Sequence, residues 1–483
     1  MRRLSGLLLA LATIPALPAD AAVTLLARGS LGGTSDLSGL TNTLENGLPA
    51  NILGGIGSGL AYAGGNTFLA LPDRGPNATA YNPAVDDTVS YIARFQSVTM
   101  QLTPGAGGTY TLTPTLTGTT LLSSATPLIY GTGAGLGNRS DGTPLGSGAP
   151  IQNSAGVNYF TGRSDNFGPG GSGNPLDARF DPESIRVSND GASVFISDEY
   201  GPYVRQFDRA TGQLIKTFAL PANLDVANVS PVGATEIAGN VSGRTANKGM
   251  EGLAITPDGK TLVGIMQAAL IQDTPASGNG PLRIVTIDIA TGTTHEYAYT
   301  LTNGSGVSEI IAINDHEFLV DERDGKGLGD GSNAKYKQIF RIDIAGATDV
   351  TSLSGSAAVS AAAVAKVKTP FLDLVAALTV AGVPTSQIPA KIEGLSFGQD
   401  ITLNGILTHT LYIANDNDFL PNTAGANQFY AFGFTDTDLP GYVAQRLGAP
   451  VPEPASWGMM IAGFGLLGAA LRRARVTATV RFG

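Results

Sequence analysis

The chain has few of the residues that carry thiol and imidazole chemistry. Its 483 residues include no cysteine and only three histidines, His295, His316 and His409. The absence of cysteine excludes disulfides, thiolate metal sites and a cysteine nucleophile. With three histidines, imidazole catalysis has few candidate residues.

Charged residues are also scarce, at 14% of the chain, and the acidic ones exceed the basic ones to give a formal net charge of −10. An acidic chain disfavours nucleic acid as a partner and favours cations or positively charged partners. The abundant residues are glycine and proline, with 64 and 28 copies. This composition fits loop-rich β structure better than a helix bundle.

Residues 1–22 have the order of parts found in a secretion signal. Met1-Arg2-Arg3 supplies positive charge, Leu4 to Leu17 is mostly apolar, and Ala19-Asp20-Ala21 offers small residues for cleavage. Such an apolar stretch is short for a membrane span and typical of a cleaved signal peptide. We therefore expect the protein to be exported.

Residues 451–475 form a second targeting segment. Pro452-Glu453-Pro454 precedes the apolar stretch Ala455 to Leu471, and Arg472-Arg473-Ala474-Arg475 follows it. A short span with a basic stop holds a chain in the membrane with its basic end in the cytoplasm. The segment resembles the PEP-CTERM sorting signal. This resemblance implies a precursor anchored in the inner membrane by the tail alone, cleavage by an exosortase-type protease, and release to the cell surface or extracellular matrix.

A strand–turn–strand pattern recurs between the two ends, over residues 23–445. The hairpins cover residues 58–71, 183–196, 251–266, 309–320 and 393–414. Apolar runs of strand length separated by turn formers predict β-hairpins, and second strand pairs follow at 203–218 and 283–301. Repeated units of four antiparallel strands predict an all-β fold, a β-propeller with long loops. We expect six blades, with five or seven as alternatives, and we expect Val23 to Leu31 to close the ring.

Acidic residues recur at matched ends of these hairpins. The start of the first strand and the end of the second lie at the same end of an antiparallel pair, so radial repetition brings them together around the axis. Converging carboxylates repel one another unless cations or protons neutralise them, and oxygen ligands alone suit Ca²⁺ before Mg²⁺. The alternative is solvated acids at strand ends. The predicted metal ligands are Asp73, Glu183, Asp198, Glu199, Glu309, Glu322, Glu393, Asp416 and Asp418.

Six short segments, in one order, resemble the phytase-like family that carries the label "esterase-like activity of phytase". The segments are Leu71–Gly75, Asp181–Ile185, Ser197–Gly201, Asn247–Leu253, Val320–Arg323 and Asn415–Phe419. The resemblance implies a secreted propeller-like domain that hydrolyses phosphate esters or other esters. Two positions depart from it, because Lys248 stands where many relatives carry arginine and Gln267 where many carry glutamate.

The leading hypothesis is an exported, Ca²⁺-dependent phosphoesterase acting on a phosphorylated small molecule or another ester. In it, Ca²⁺ neutralises phosphate oxygens and lowers the pKa of an attacking water. The predicted catalytic residues are Glu251, Lys248, Arg74, Arg323 and Lys391. One alternative is a non-catalytic, Ca²⁺-stabilised propeller that binds matrix material. The other is a carboxylesterase or lactonase on the same scaffold.

A possible serine nucleophile occurs in Gly394-Leu395-Ser396-Phe397-Gly398, which matches the Gly-x-Ser-x-Gly pattern. That pattern functions at a sharp turn from a strand into a helix. Here Ser396 is predicted within a strand, which disfavours a nucleophile, although His409 keeps the esterase alternative open.

Overall fold

The computed structural model describes residues 23–78, 84, 87–105, 109–131, 146, 148–166, 173–276, 278–304, 306–448 and 483. The predicted signal peptide and the predicted sorting tail lie outside these residues. Within them, no helix combines the length and the apolar character needed to cross a membrane.

The strands form five sheets that follow one another along the chain. After β1 (Thr24–Leu31), blade 1 contains β2 (Gly59–Tyr62), β3 (Thr67–Leu71), β4 (Arg94–Pro104) and β5 (Tyr110–Leu121). The short strands β6 (Ser123–Ser124) and β7 (Asn158–Tyr159) pair with each other. Blade 2 contains β8 (Pro182–Val187), β9 (Ser193–Asp198), β10 (Tyr203–Asp208) and β11 (Leu214–Ala219).

Three further blades complete the molecule. Blade 3 contains β12 (Met250–Ile255), β13 (Thr261–Met266), β14 (Leu282–Asp288) and β15 (Thr294–Tyr299). Blade 4 contains β16 (Gly306–Ala312), β17 (Glu317–Arg323), β18 (Lys337–Asp343), β19 (Ala365–Lys366) and β20 (Leu372–Asp373). Blade 5 contains β21 (Ile392–Phe397), β22 (Ile401–Leu403), β23 (Ile406–Asn415) and β24 (Asn427–Phe434).

Helices are short and lie in the connections. The described residues form α1 (Gly233–Gly239), α2 (Ser356–Val359), α3 (Leu374–Val380) and α4 (Pro421–Ala424). Single 3-10 turns occur at Ala222–Leu224, Ile271–Asp273 and Thr385–Gln387. The predicted, mainly β architecture is confirmed.

The innermost strands close a ring of five blades. The strands β2, β8, β12, β16 and β21 contact one another in that order, and β21 contacts β2 in turn. The chain start completes blade 5, because β1 pairs with β24 in an antiparallel ladder in which Gly29 faces Phe429. The expectation that residues 23–31 close the ring is therefore confirmed. Six blades are not confirmed, since the described ring closes with five, the lower alternative.

The apolar core lies between neighbouring blades. Phe195 and Val204 of blade 2, for example, pack with Leu262 and Val285 of blade 3, and all four side chains are buried. Each inner strand is buried along nearly its whole length. Since both faces of a blade are covered by its neighbours, the ends of the inner strands are what remain to form a site.

Candidate functional site

One end of the inner strands opens into a pocket of about 480 Å³ on the propeller axis. Of the fourteen site residues predicted from the sequence, nine line it. They are Asp73, Arg74, Glu183, Glu199, Lys248, Glu251, Arg323, Lys391 and Glu393. Hairpin geometry therefore brought most of these side chains to one place.

A β-bulge at the start of the inner strand aims three of the glutamates at the axis. In blade 3, Met250 faces Met266 and Gly252 faces Ile265, so Glu251 is the extra residue. The ladders of blades 2 and 5 are interrupted in the same place, at Glu183 and at Glu393. A bulge bends the strand locally and redirects a side chain. Here it gives the pocket its ring of glutamates.

Glu309 does not belong to this ring. In blade 4, Val307 faces Glu322 and Glu309 faces Asp321, so the extra residue is Ser308. Glu309 is thus one residue out of step with Glu251 and matches Gly252 instead. It fills the axis below the pocket, where it accepts a hydrogen bond from Ser184 Oγ at 2.9 Å and pairs with Arg186 at 2.8 Å. Burial raises the pKa of the Glu309 carboxyl to about 7.

Asp198 and Glu322 also point away from the pocket, because side chains alternate along a strand. Asp198 is fully buried and forms an ion pair with Arg205. Glu322 accepts hydrogen bonds from Tyr299 at 2.6 Å and from Lys366 at 2.7 Å. Neither residue lines the pocket.

The residue that follows each of these positions faces the axis. Asp198 and Glu322 occupy the same place in their ladders as Met266 of blade 3 and Asn415 of blade 5. The next residues along the chain are Glu199, Arg323, Gln267 and Asp416. Three of them line the pocket, and Asp416 lies beside the lining residue Lys391. In blades 2, 3, 4 and 5 this position therefore holds an acid, an amide, a cation and an acid, respectively.

One fully buried group of acids is formed by Asp181, Glu183 and Glu199. One carboxylate oxygen from each lies within 4.8 Å of the others, and all three side chains are buried. Burial, followed by repulsion from Glu251 and Asp181, raises the pKa values of Glu183 and Glu199 well above their ordinary range. Burial likewise raises the pKa of Glu251 to about 8. Glu183, Glu199 and Glu251 therefore favour their protonated forms unless a cation neutralises them.

Backbone geometry fixes Glu199 in this group. Its Oε1 accepts a hydrogen bond from the Gly249 N–H at 2.9 Å. A Cβ atom at Gly249 would lie 2.3 Å from the Glu199 carbonyl oxygen, so the approach requires glycine. On the facing side, Gln267 Nε2 donates to Glu251 Oε1 at 2.7 Å.

A second group of acids is paired with a lysine, just as Arg74 pairs with Asp181 and Glu199 of the first group. Asp73, Asp416 and Asp418 also bring three oxygens within 4.8 Å of one another. Lys391 Nζ lies 2.7 Å from Asp416 and 2.6 Å from Asp418. Burial alone would lower the pKa of Lys391, but the two aspartates raise it well above its usual value. Lys391 is therefore charged and neutralises this group from within.

The other predicted cations differ in how firmly they are held. Arg74 pairs with Asp181 at 2.9 Å, and Arg323 pairs with Glu393 at 2.5 Å. Lys248 is exposed at the pocket rim, and the part of the chain that the structure describes provides no ion pair for it. Lys248 is thus the cation best placed to meet an incoming anion.

Sequence reasoning missed three charged residues of this site: Asp181, Arg244 and the buried, pocket-lining Glu236. Asp181 was visible in the segment Asp181–Ile185, but it precedes the strand and breaks the repeat. Arg244 lies in a long connection where no repeat exists. It is a buried residue that lines the pocket, and its Nη2 atom lies 3.8 Å from Glu236 Oε1.

The possible serine nucleophile is not built as one. Ser396 lies in β21, where its Oγ accepts a hydrogen bond from Tyr62 N–H at 2.8 Å and donates one to the Phe397 carbonyl at 2.9 Å. His409 instead contacts Asp400 at 2.8 Å and Asp436 at 3.0 Å. The strand position predicted for Ser396 is confirmed.

Comparison with known protein families gives two matches. Residues 51–419, more than half of the chain, match the family described as phytase-like, esterase-like activity of phytase. Residues 450–475 match the PEP-CTERM protein-sorting motif. Both resemblances seen in the sequence are thereby confirmed.

Individual relatives add little about chemistry. An uncharacterized secreted protein of Arthroderma benhamiae is 29% identical over 350 residues, which cover 59% of this chain and 61% of that protein. The match thus spans less than two thirds of the relative's length. Among solved structures, hydrazine synthase of Kuenenia stuttgartiensis is 14% identical, with 77% and 79% coverage and a TM-score of 0.31. The Cps50 (Swd1) β-propeller domain of Myceliophteria thermophila is 12% identical, with 48% and 51% coverage and a TM-score of 0.21. Likenesses with such low TM-scores carry no inference about this chain.

Proposed function

We propose that this chain, which belongs to the phytase-like family, is an exported enzyme that hydrolyses phosphate esters in its axial pocket with the help of Ca²⁺. The sorting motif at residues 450–475 makes it an exported protein that carries a sorting signal. The proposal concerns the chemistry, the metal and the final location.

The observation that carries the proposal is the buried group Asp181, Glu183 and Glu199. Ligand oxygens of a Ca²⁺ ion lie about 2.3–2.6 Å from it, so oxygens on opposite sides are about 5 Å apart. The three carboxylates, within 4.8 Å of one another, fit that spacing. Glu251 lies outside this set of three, and its negative charge raises the pKa values of both glutamates.

The donor set favours Ca²⁺ over softer metals. It contains carboxylates and the amide of Gln267, with no thiol in the chain and no histidine among the residues that line the pocket. Oxygen ligands of this kind suit Ca²⁺ or Mg²⁺, and several charged carboxylates in an irregular arrangement favour Ca²⁺. A bound ion of this type neutralises ester oxygens and acidifies a water molecule.

The basic side chains of the pocket would contribute to phosphate binding. Phosphoryl transfer depends on positioning and charge neutralisation more than on a dedicated nucleophile. The rim ammonium of Lys248 would bind phosphate oxygens, with the charge of Arg244, which is paired with Glu236, close by. Arg74 is held by Asp181, a member of the acidic group, so it presents its charge at a fixed place. In this proposal Arg323 and Lys391 mainly hold the neighbouring acids in position.

The final location follows from the tail. A short span with a basic stop anchors the precursor in the inner membrane, and cleavage by an exosortase-type protease releases it to the surface or matrix. An extracellular site provides a supply of Ca²⁺. The domain also has no cysteine whose oxidation state would matter outside the cell.

The test compares two esters with the same leaving group. The mature chain is assayed on 4-nitrophenyl phosphate and 4-nitrophenyl acetate, each with excess Ca²⁺ and with excess chelator. Hydrolysis of the phosphate alone, abolished by chelator, is the expected result. Activity on the acetate that survives chelation would support a carboxylesterase instead. No activity on either ester would support the non-catalytic propeller that binds matrix material.

A further inference from the structure

The pocket has a second wall that is not made by the inner strands. Residues 225–248, between β11 and β12, include α1 and supply nine of the residues that line the pocket. This connection, which we name the wall segment, contributes Val226, Ile237 and Ala246 to the lining, and Ile271 lies beside them. The same segment also lines the pocket with the polar residues Glu236, Asn240, Arg244, Thr245, Asn247 and Lys248. The acidic floor therefore faces a mixed wall with a small apolar part.

Backbone hydrogen bonds hold the wall segment in place. Its two ends are joined by Arg244 N–H to the Leu224 carbonyl at 3.0 Å and by Ala227 N–H to the Ser242 carbonyl at 3.2 Å. Gly243 has φ +91°, and a Cβ atom there would lie 1.7 Å from the Asp225 carbonyl oxygen. Ile271 N–H also donates to the Gly243 carbonyl at 2.9 Å. The wall segment, with its small apolar part, is thus preformed.

The charge on the lining limits what can enter. Among the described residues that line the pocket, six are acidic and five are basic, a formal charge of −1. Most of the basic side chains are already paired, for example Arg323 with Glu393 and Lys391 with Asp416. With Asp181 of the acidic group included, the formal charge is −2, and one divalent cation would bring the site to about zero. Such a site can meet the charge of one phosphate group, about −1.5 to −2 at pH 7, better than that of several.

A polyphosphorylated polyol does not fit this arrangement. Six phosphate groups would carry roughly −9 to −12 in total at pH 7. Among the described basic residues that line the pocket, Lys248 alone has no ion pair and remains to meet that charge, since Arg244 is paired with Glu236. Such a ligand would also place its charged groups against Ile237 and Ile271, where burial of charge is unfavourable.

Building on the proposed function, we propose that the ligand is an ester with a single phosphate group and an apolar leaving group. The phosphate lies between the acidic group and Lys248, with the charge of Arg244 close by. The apolar part packs on Val226, Ile237 and Ile271. The pocket volume of about 480 Å³ is within the usual range for a small-molecule site.

Binding tests the ligand class without depending on catalysis. Isothermal titration at fixed free Ca²⁺ compares benzylphosphonate, 2-hydroxyethylphosphonate and myo-inositol hexakisphosphate. The first two share a head group and differ in the polarity of the tail. Burial of the phenyl ring should make benzylphosphonate bind roughly tenfold tighter than its hydroxyethyl counterpart. Hydrolysis of 1-naphthyl phosphate and glycerol phosphate is measured in parallel.

Two substitutions in the wall segment give the matched comparison. Ile237→Asn places a polar amide on the apolar part of the wall segment and should remove most of the tenfold preference. Val241→Asn changes a residue that is 68% exposed and outside the pocket lining, so the preference should remain. Circular dichroism and melting temperature confirm that both variants fold.

The outcomes separate the ligand class from the chemistry. Equal binding of the two phosphonates, tightest binding of the hexakisphosphate, an equal effect of Ile237→Asn on both phosphonates, or no phosphonate binding would overturn the inference. If benzylphosphonate is preferred in an Ile237-dependent way but neither phosphate ester is hydrolysed, the ligand class stands and the proposed hydrolysis fails.

Discussion

Glu309 Oε2 lies 2.8 Å from Arg186 Nη2 on the propeller axis, and their side chains are 0% and 7% exposed. Because removal of one partner leaves the other charge buried, Glu309→Ala should lower the free energy of unfolding by about 3–5 kcal/mol. Ca²⁺ affinity should remain unchanged, since Glu309 is held by Ser184 and Arg186 and belongs to neither group of acids. Chemical denaturation and Ca²⁺ titration measure the two quantities.

The control for this substitution is Glu317→Ala. Glu317 pairs with Arg341 at 2.5 Å, but the two side chains are 15% and 25% exposed. A partly exposed pair contributes only about 0–1 kcal/mol. Equal losses of stability in the two variants would contradict a structural role for the axial pair.

Asp198 and Glu199 are neighbours in the chain, but their side chains lie on opposite faces of the same hairpin end. Glu199 faces the pocket, so Glu199→Gln should weaken Ca²⁺ binding by at least about tenfold, as loss of a metal-site carboxylate or its support commonly does. Asp198→Asn should leave Ca²⁺ affinity nearly unchanged and reduce stability instead, because Arg205 loses its ion pair. A larger loss of Ca²⁺ affinity in the Asp198 variant would refute this assignment of faces.

These two residues also show what the sequence could and could not predict. The hairpin pattern was enough to place acids from every blade at one end of the molecule, since strand ends follow from turns. It could not reveal the bulge, because one inserted residue leaves no mark on an apolar run. For that reason Glu309 was aligned with Glu251 although Ser308 holds the equivalent place. Arg244 was missed because a connection without a repeat offers no position to compare.

Stability should depend on pH when Ca²⁺ is absent. In the folded state the pKa of Glu251 rises from 4.5 to about 8, so between these values the folded chain binds more protons than the unfolded chain. The free energy of unfolding therefore falls as pH rises through this window and is highest below it. In chelator the melting temperature should drop by at least about 5 °C between pH 5 and pH 8.

Excess Ca²⁺ should remove most of that drop, because the ion stabilises the deprotonated carboxylates and binds the folded chain selectively. Glu251→Gln should make the slope in chelator shallower. A melting temperature that rises from pH 5 to pH 8 in chelator would contradict a raised pKa for the Glu251 carboxyl in the folded chain.

Cleavage of the tail should depend on Pro452-Glu453-Pro454. Replacement of the tripeptide by alanines should leave full-length protein in the membrane fraction, because the apolar stretch and its basic stop remain attached. Replacement of Thr477 and Thr479, which follow the basic cluster, is the matched control. Release of the alanine variant at the mass of the mature protein would contradict the sorting role.

The central claim is that a Ca²⁺ ion held by the buried acids supports hydrolysis of a phosphate ester. Its most direct test is the initial rate of 4-nitrophenyl phosphate hydrolysis as a function of free Ca²⁺, for the wild type, Glu183→Gln and the control Glu317→Gln. The account predicts saturable, Ca²⁺-dependent activity in the wild type and the control. Glu183→Gln should require at least about tenfold more Ca²⁺. Wild-type activity that is the same in chelator, or absent at every Ca²⁺ concentration, would contradict it.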